Sequence, residues 1–314
     1  MDSHLINILP NEIWNLIFNH SGNYNLLFAS KYFFELSNLI TNDDNIIEQA
    51  IINGHLHIVF FINYLKKKEN ILMNKINFKS LGLQNYFYIA CKSGHIDIVQ
   101  YLHSQGAKIS EDENKALVEA CTNGHKIVVE YLLSNGANMY AQDNYPIEAA
   151  TINGHLDIVS LFVSINGDIL DIIYTEASNY GQLEIVKYLK SIGFDLHKYN
   201  DYGFRKSAEY NYLDLMKYLI LEGADIRVYQ NYAIIKSFQN GHYEVVKYLI
   251  SLGIDVVKEN VGININYVLI DAIIKCDLEL VELLISMGAS TNKILVLAQK
   301  HNCQKVIEFV ENKN

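Results

Sequence analysis

Five histidines recur at one place in a repeated pattern. His55, His95, His125, His155 and His242 each follow a glycine directly. A row of imidazoles could hold metal or move protons. Neighbouring copies, however, would fall one packed unit apart, roughly 10 Å, whereas shared ligation needs bonds near about 2 Å. The spacing therefore weighs against shared ligation, and no metal and no cofactor are expected. Asp97, Asp157, Glu184, Asp214, Glu244 and Glu279 each follow the same turn, where a carboxylate complements the positive end of a helix. The four cysteines, Cys91, Cys121, Cys276 and Cys303, make no Cys-x-x-Cys pair, and they read as reduced intracellular thiols. No Gly-Lys-Ser/Thr phosphate loop, His-Glu-x-x-His or Gly-x-Ser-x-Gly is present, and no nucleophile has an identifiable base. The chain is not expected to be an enzyme.

What positions these residues is a repeat. Asn53-Gly54-His55-Leu56, Ser93-Gly94-His95-Ile96, Asn123-Gly124-His125-Lys126, Asn153-Gly154-His155-Leu156 and Asn240-Gly241-His242-Tyr243 are copies of one turn. Weaker copies stand at Tyr180-Gly181-Gln182-Leu183, Tyr210-Asn211-Tyr212-Leu213 and Lys275-Cys276-Asp277-Leu278. The period is about thirty residues. After each turn the apolar residues keep helical spacing, as in Ile98, Val99, Tyr101 and Leu102. A second glycine then stops the helix, at Gly106, Gly136, Gly193, Gly223, Gly253 and Gly288, with Asn166 in the same left-handed role in one unit. Before each turn a second helix carries a small residue at a fixed place: Ala50, Ala90, Ala120, Ala150, Ala177, Ser207, Ser237, Ala272 and Ala298. Such a unit cannot bury its own apolar face, but stacked copies can.

With these motifs the chain resembles the ankyrin repeat family. Asn144-Tyr145-Pro146-Ile147-Glu148-Ala149-Ala150 is similar to that family's Thr-Pro-Leu-His-x-Ala-Ala, and Glu222-Gly223-Ala224-Asp225 to its closing element. The resemblance covers roughly residues 46 to 312, about nine units, and implies an all-α helical repeat solenoid that binds a protein, with the recurrent histidines as loop-bracing hydrogen-bonders. Most units run about three residues short of the family's length, where it has its β-hairpin finger. Shortened fingers are expected. Lys66 to Leu83 and Val256 to Asn266 are insertions, read as surface excursions.

Residues 1–45 fall outside the repeat. Leu9-Pro10-Asn11-Glu12-Ile13, then Leu16 and Ile17, then Ser30-Lys31-Tyr32-Phe33 resemble an F-box. That resemblance implies docking of the Skp-type linker of cullin ubiquitin ligases through Leu9, Pro10, Ile13, Leu16, Ile17 and Phe33. The alternative is a helical cap that shields the first unit.

The chain has 314 residues and a formal charge of −10. That balance weighs against a nucleic-acid ligand, and no apolar run is long enough for a bilayer. An intracellular, cytoplasmic monomer is expected. Abundant Asn, Ile, Tyr and Lys suggest an AT-rich genome, as of a large DNA virus or a protist. For target binding, tyrosine recurs where the family has its Thr, at Tyr145, Tyr202, Tyr232 and Tyr267. Tyr180 and Tyr210 precede the turn, and Lys206 and Lys236 add charge on the same face. Tyrosine is a common interface anchor. The alternative is that these rings cover backbone left bare by the missing finger.

Overall fold

A computed structural model describes residues 46–56, 59, 82–254, 265–286 and 288–313. The F-box-like segment and nearly all of both insertions lie outside these residues. The chain divides into two compact units, Met1–Asn166 and Gly167–Asn314. The described residues form helices and turns with no strand, so the fold is the all-α helical repeat.

The first unit contains α1 (Ile46–Ile52), α2 (Leu83–Ser93), α3 (Ile96–Ser104), α4 (Glu111–Thr122), α5 (Lys126–Ser134), α6 (Ala141–Ile152) and α7 (Leu156–Ile165). The second opens with a 3₁₀ turn, Gly167–Ile169, then α8 (Leu170–Asn179), α9 (Leu183–Ser191), α10 (Lys198–Glu209), α11 (Leu213–Leu221), α12 (Val228–Gln239) and α13 (Tyr243–Ser251). It continues with α14 (Ile265–Ile274), α15 (Leu278–Ser286), α16 (Thr291–Lys300) and α17 (Gln304–Lys313). Like packs on like. In the first unit α2, α4 and α6 form one layer and α3, α5 and α7 the other. In the second, α8, α10 and α12 repeat the first layer.

The recurring small residue, from Ala50 to Ala298, is fully buried in every copy, which lets these helices approach closely. Serine replaces alanine twice without leaving a hydroxyl stranded. Ser207 donates to the carbonyl of Phe204 and Ser237 to that of Ala233. The paired apolar residues of the second helices, such as Ile98 with Val99 and Val245 with Val246, are fully buried as well. Tyr101, Tyr131, Tyr188, Tyr218 and Tyr248 are only half-buried, so they edge the core.

The histidines join consecutive units. The backbone N–H of His125 caps its own unit by donating to the carbonyl of Ala120. Its ring reaches back to the preceding unit, where Nε2 lies 2.7 Å from the carbonyl of Lys92. A carbonyl can only accept, so this nitrogen carries the proton. The same reach joins His95 to Ile52, His155 to Thr122 and His242 to Glu209. Tyr212 substitutes for histidine and donates to the carbonyl of Asn179. The ring lies flat on the preceding unit's turn glycine. A Cβ on Gly94 would sit 2.4 Å from the His125 ring, and Gly94 has a φ of +79°.

Two expectations need correction. Asn166 is extended, with φ −148° and ψ 119°, not left-handed. The chain leaves α7 directly into the 3₁₀ turn there, and the Asn166 amide donates instead to the Tyr140 hydroxyl. The four cysteines are not all free. Cys276 and Cys303 are joined, with Cα atoms 5.6 Å apart, while Cys91 and Cys121 are free and buried. Burial pushes both free thiols up, which makes them inert packing groups.

Where the β-hairpin finger would stand, the backbone makes a left-handed turn. Asp112, Glu113 and Asn114 all have positive φ, as do Gln142, Asp143 and Asn144, and Tyr199, Asn200 and Asp201. Left-handed backbone costs about 1–2 kcal/mol per non-glycine residue. The third residue of each turn is Asn or Asp, types that tolerate this region best. Braces from the next unit hold the turns. The Asn114 side chain accepts from the N–H of Asn138, and Asp201 accepts from that of Asp225. His197 adds a second brace. Its Nδ1 lies 2.6 Å from Asp201, and its Nε2 faces the Glu222 carbonyl at 3.2 Å. Two acceptors favour the doubly protonated ring, and the Asp201 bond raises its pKa against the opposing effect of burial.

Two predictions follow from these braces. Gly94→Ala should destabilise by about 2 kcal/mol, from left-handed strain plus the ring clash. In a His125→Ala background the same change should cost about 1 kcal/mol less, because the clash is gone. Denaturant unfolding of the double-mutant cycle measures this, and strict additivity would remove the clasp. For His197, the raised pKa means its contribution is complete below the unfolded imidazole value, about 6.5. It is lost as pH rises through the folded value. His197→Gln should therefore be less stable than the parent in acid by at most about 1 kcal/mol, since the pair is partly exposed. The gap should close towards alkaline pH in a series of urea titrations. A gap independent of pH would show that the ring acts only by packing.

Candidate functional site

The second unit gathers four of the eight target-binding candidates onto α10 and α12. Tyr202 and Tyr232 begin the right-handed part of each helix, straight after the left-handed turn. Lys206 and Lys236 lie one helical turn further on. At their centre stands Arg205. Its guanidinium carbon is 5.6 Å from the centroid of the Tyr202 ring, 4.8 Å from Tyr229 and 5.5 Å from Tyr232. The same group is tied to backbone, with Nε donating to the carbonyl of Asn200 and a terminal nitrogen to that of Tyr199. Arg205 thus holds three rings and the left-handed turn at once.

Charge within the cluster is partly compensated. Lys206 lies over Tyr202 and Tyr210, at 5.7 and 5.2 Å, and donates to Glu209 at 2.9 Å. Glu209 also accepts from the Tyr232 hydroxyl at 3.2 Å. Burial alone would raise the Glu209 pKa, but the Lys206 ammonium overrules it and holds the carboxyl below its usual range. Burial, then the Glu209 charge, pushes the Tyr232 phenol up. Lys236 lies 5.7 Å from the Tyr232 centroid. With Glu209 ionised, Arg205, Lys206 and Lys236 leave the cluster positive on an acidic chain.

The remaining candidates are placed differently. Tyr210 and Tyr180 are exposed at the turns that close α10 and α8. Tyr202 is half-buried, and its hydroxyl donates to Asn179 at 2.8 Å. Tyr145 is exposed at the same register in the first unit, where Gln142 and Glu148 occupy the places of Tyr199 and Arg205. The Tyr267 backbone lies in α14, and its side chain is outside the described residues.

Sequence reasoning missed three residues: Arg205, Tyr199 and Tyr229. Tyr199 and Tyr229 are the most exposed tyrosines of the cluster, at 54% and 58%. Both have positive φ, 58° and 50°, in a region that bulky side chains avoid. Asn200 donates to the Tyr229 hydroxyl at 2.8 Å and links the two turns. A signal was available, because each stands three places before a tyrosine at the Thr position. Among the described residues no group of three His, Cys, Asp or Glu is placed to hold a metal ion. No described helix is long and apolar enough to cross a membrane.

Comparison with known proteins agrees with this architecture. The family model for ankyrin repeats (3 copies) matches residues 47–143, 87–172, 173–260 and 204–295. Ankyrin repeat protein R840 of Acanthamoeba polyphaga mimivirus is 41% identical over 109 residues, 35% of this chain and 21% of that protein. Ankyrin repeat protein R844 of the same virus is 36% identical over 115 residues, 37% of this chain and 54% of that protein. The matched stretch spans about half or less of either relative's length. The human ASB11 ankyrin repeat domain superposes with a TM-score of 0.49 at 18% identity, over 65% of this chain and 96% of that one. The chain belongs to the ankyrin repeat family.

Proposed function

We propose that this chain is a non-enzymatic, intracellular adaptor that holds a target protein on the tyrosine and arginine face of α10 and α12. The observation that carries this is Arg205 stacked among three rings, with Tyr199 and Tyr229 exposed in left-handed turns. Tyr and Arg give large contact area and directional bonding, and they dominate interface energetics. Here Arg205 is held by two carbonyls and lies near three rings before any partner arrives, so less entropy is lost on binding. Strained residues that remain exposed point to function, because rings left more than half exposed bury little surface in the fold. The corresponding first-unit turn residues are Asp112 and Gln142.

A finer reading gives the chain two parts, residues 1–45 as a hook and 46–314 as the array. In it the F-box-like pattern of Leu9, Pro10, Ile13, Leu16, Ile17 and Phe33 recruits a Skp-type linker, so that the captured target is ubiquitinated by other subunits. Its support is the sequence resemblance. The alternative is an ankyrin scaffold or sequestering protein with no ligase link.

Tyr199→Asn with Tyr229→Asn should weaken a captured partner by about ten- to a hundredfold. Thermal unfolding should not fall, since Asn tolerates left-handed backbone better than Tyr. The partner is first identified by capture from eukaryotic lysate and then titrated against both chains. Unchanged affinity would end the assignment. By contrast, Tyr202→Ala with Tyr232→Ala should destabilise the second unit, because both rings are half-buried and hydrogen-bonded. The hook is tested separately with Leu9→Ala, Pro10→Ala and Ile13→Ala. Skp-type linker recovered with the parent and lost with this variant supports recruitment, and no linker with the parent removes it.

A further inference from the structure

The clasp between units has two halves. One is the turn residue of a unit, left-handed and usually glycine. The other is the residue in the histidine register of the next unit, whose backbone N–H donates to the small residue of its own first helix. By these criteria Cys276 is a turn residue. Its φ is +50°, and its N–H donates to Ile273, three residues back, as Gly124 does to Cys121. Cys303 stands in the histidine register, since its N–H donates to the carbonyl of Ala298 as that of His125 does to Ala120. The two sulfurs therefore occupy the slot where Gly94 meets the His125 ring, and they are bonded there.

We infer that Cys276 and Cys303 form a thiol–disulfide switch, a covalent version of the histidine clasp that sets how firmly α16–α17 docks on α14–α15. When the bond is made, the junction is closed by the disulfide. When it is reduced, the junction has neither a ring over the turn nor a ring donor to the preceding carbonyl. The exchange partner is a small-molecule disulfide such as oxidised glutathione. Cys276 is exposed and Cys303 is fully buried, so Cys276 is the sulfur that meets it. The Cys276 thiolate, having lost its proton to solvent, attacks one sulfur of the small disulfide and releases one glutathione thiolate. The Cys303 thiol then loses its proton and attacks the Cys276 sulfur of the mixed disulfide, releasing the second glutathione. Two protein thiols are oxidised and one small disulfide is reduced to two thiols. Excess glutathione reverses both steps.

The test uses the full chain equilibrated with oxidised or reduced glutathione. Thiols are counted in denaturant after acid quenching, and amide exchange is followed by mass spectrometry. Oxidation should leave two titratable thiols, Cys91 and Cys121, and reduction four. Exchange over residues 291–313 should speed on the order of a hundredfold on reduction, the scale of a lost loop constraint. Exchange over residues 111–122 should not change. Cys276→Ser, a substitution at an exposed position, should match the reduced parent under both conditions. Four thiols under oxidised glutathione would overturn the inference. So would a bond that forms without slowing exchange over residues 291–313.

Discussion

The ring of one unit lying on the turn glycine of the unit before it is the contact on which the rest of this structure depends. A helix pair of this size has too little apolar surface to fold alone, so its stability must come from neighbours. Shape alone would let neighbours slide. The clasp fixes register because it joins two demands at one point. The turn residue must be left-handed and is usually a glycine without a Cβ, and the imidazole must find a carbonyl with a proton already on Nε2. The first demand brings the backbones close, and the second orients them. Tyr212 shows that the requirement is a flat ring with a terminal donor, since a phenol meets it at Gly181. Glu209 shows how much one carbonyl can carry, accepting from both His242 and the Asn240 amide.

Once register is fixed, the connection between units can be short. The usual hairpin finger is replaced by three consecutive left-handed residues, an unfavourable backbone for any residue but glycine. The turns at 112–114 and 199–201 persist because the following unit braces them, through Asn114, Asp201 and His197. The brace spans the same two units as the clasp, so both interfaces are over-determined from two sides. This arrangement positions the site. Tyr199 and Tyr229 project where they do because the left-handed turn re-aims them, and Arg205 can reach both turn carbonyls only because that turn is tight.

The repeat, its period and the buried small residues were legible in the sequence, because each answers a local rule, and the bracing role of the recurrent histidines followed from the family resemblance. Glycine marks positive φ, apolar pairs mark a helix face, and small residues mark close approach. The shortened connection was legible too, as a length deficit, but not its conformation. Propensity assigns no left-handed run to Tyr-Asn-Asp, and only the braces from the following unit make one stable. Asn166 failed for a similar reason. Its type suited a left-handed cap, but the chain beyond it turns at once into 3₁₀ geometry. The cysteine pair was hidden by comparing like positions. Cys91 and Cys121 share a register and stay apart, whereas Cys276 and Cys303 differ by one register step, the offset that the clasp brings into contact.

The candidate site divides along the same line. Its tyrosines at the Thr position were visible as a column, and Lys206 and Lys236 with them. The structure gives the columns different roles. Tyr202 and Tyr232 are half-buried, and their hydroxyls donate to Asn179 and Glu209. The more exposed rings stand three residues earlier, on turns whose conformation could not be read. Arg205 is the link between the two sets, and no pattern singled it out, because it is the only arginine at its register. An arginine pinned by two carbonyls and flanked by three rings has little freedom left to lose. A partner that meets Tyr229 therefore meets a ring set against an arginine already held in place, and the strain in the two left-handed turns is carried by the fold, not by the complex.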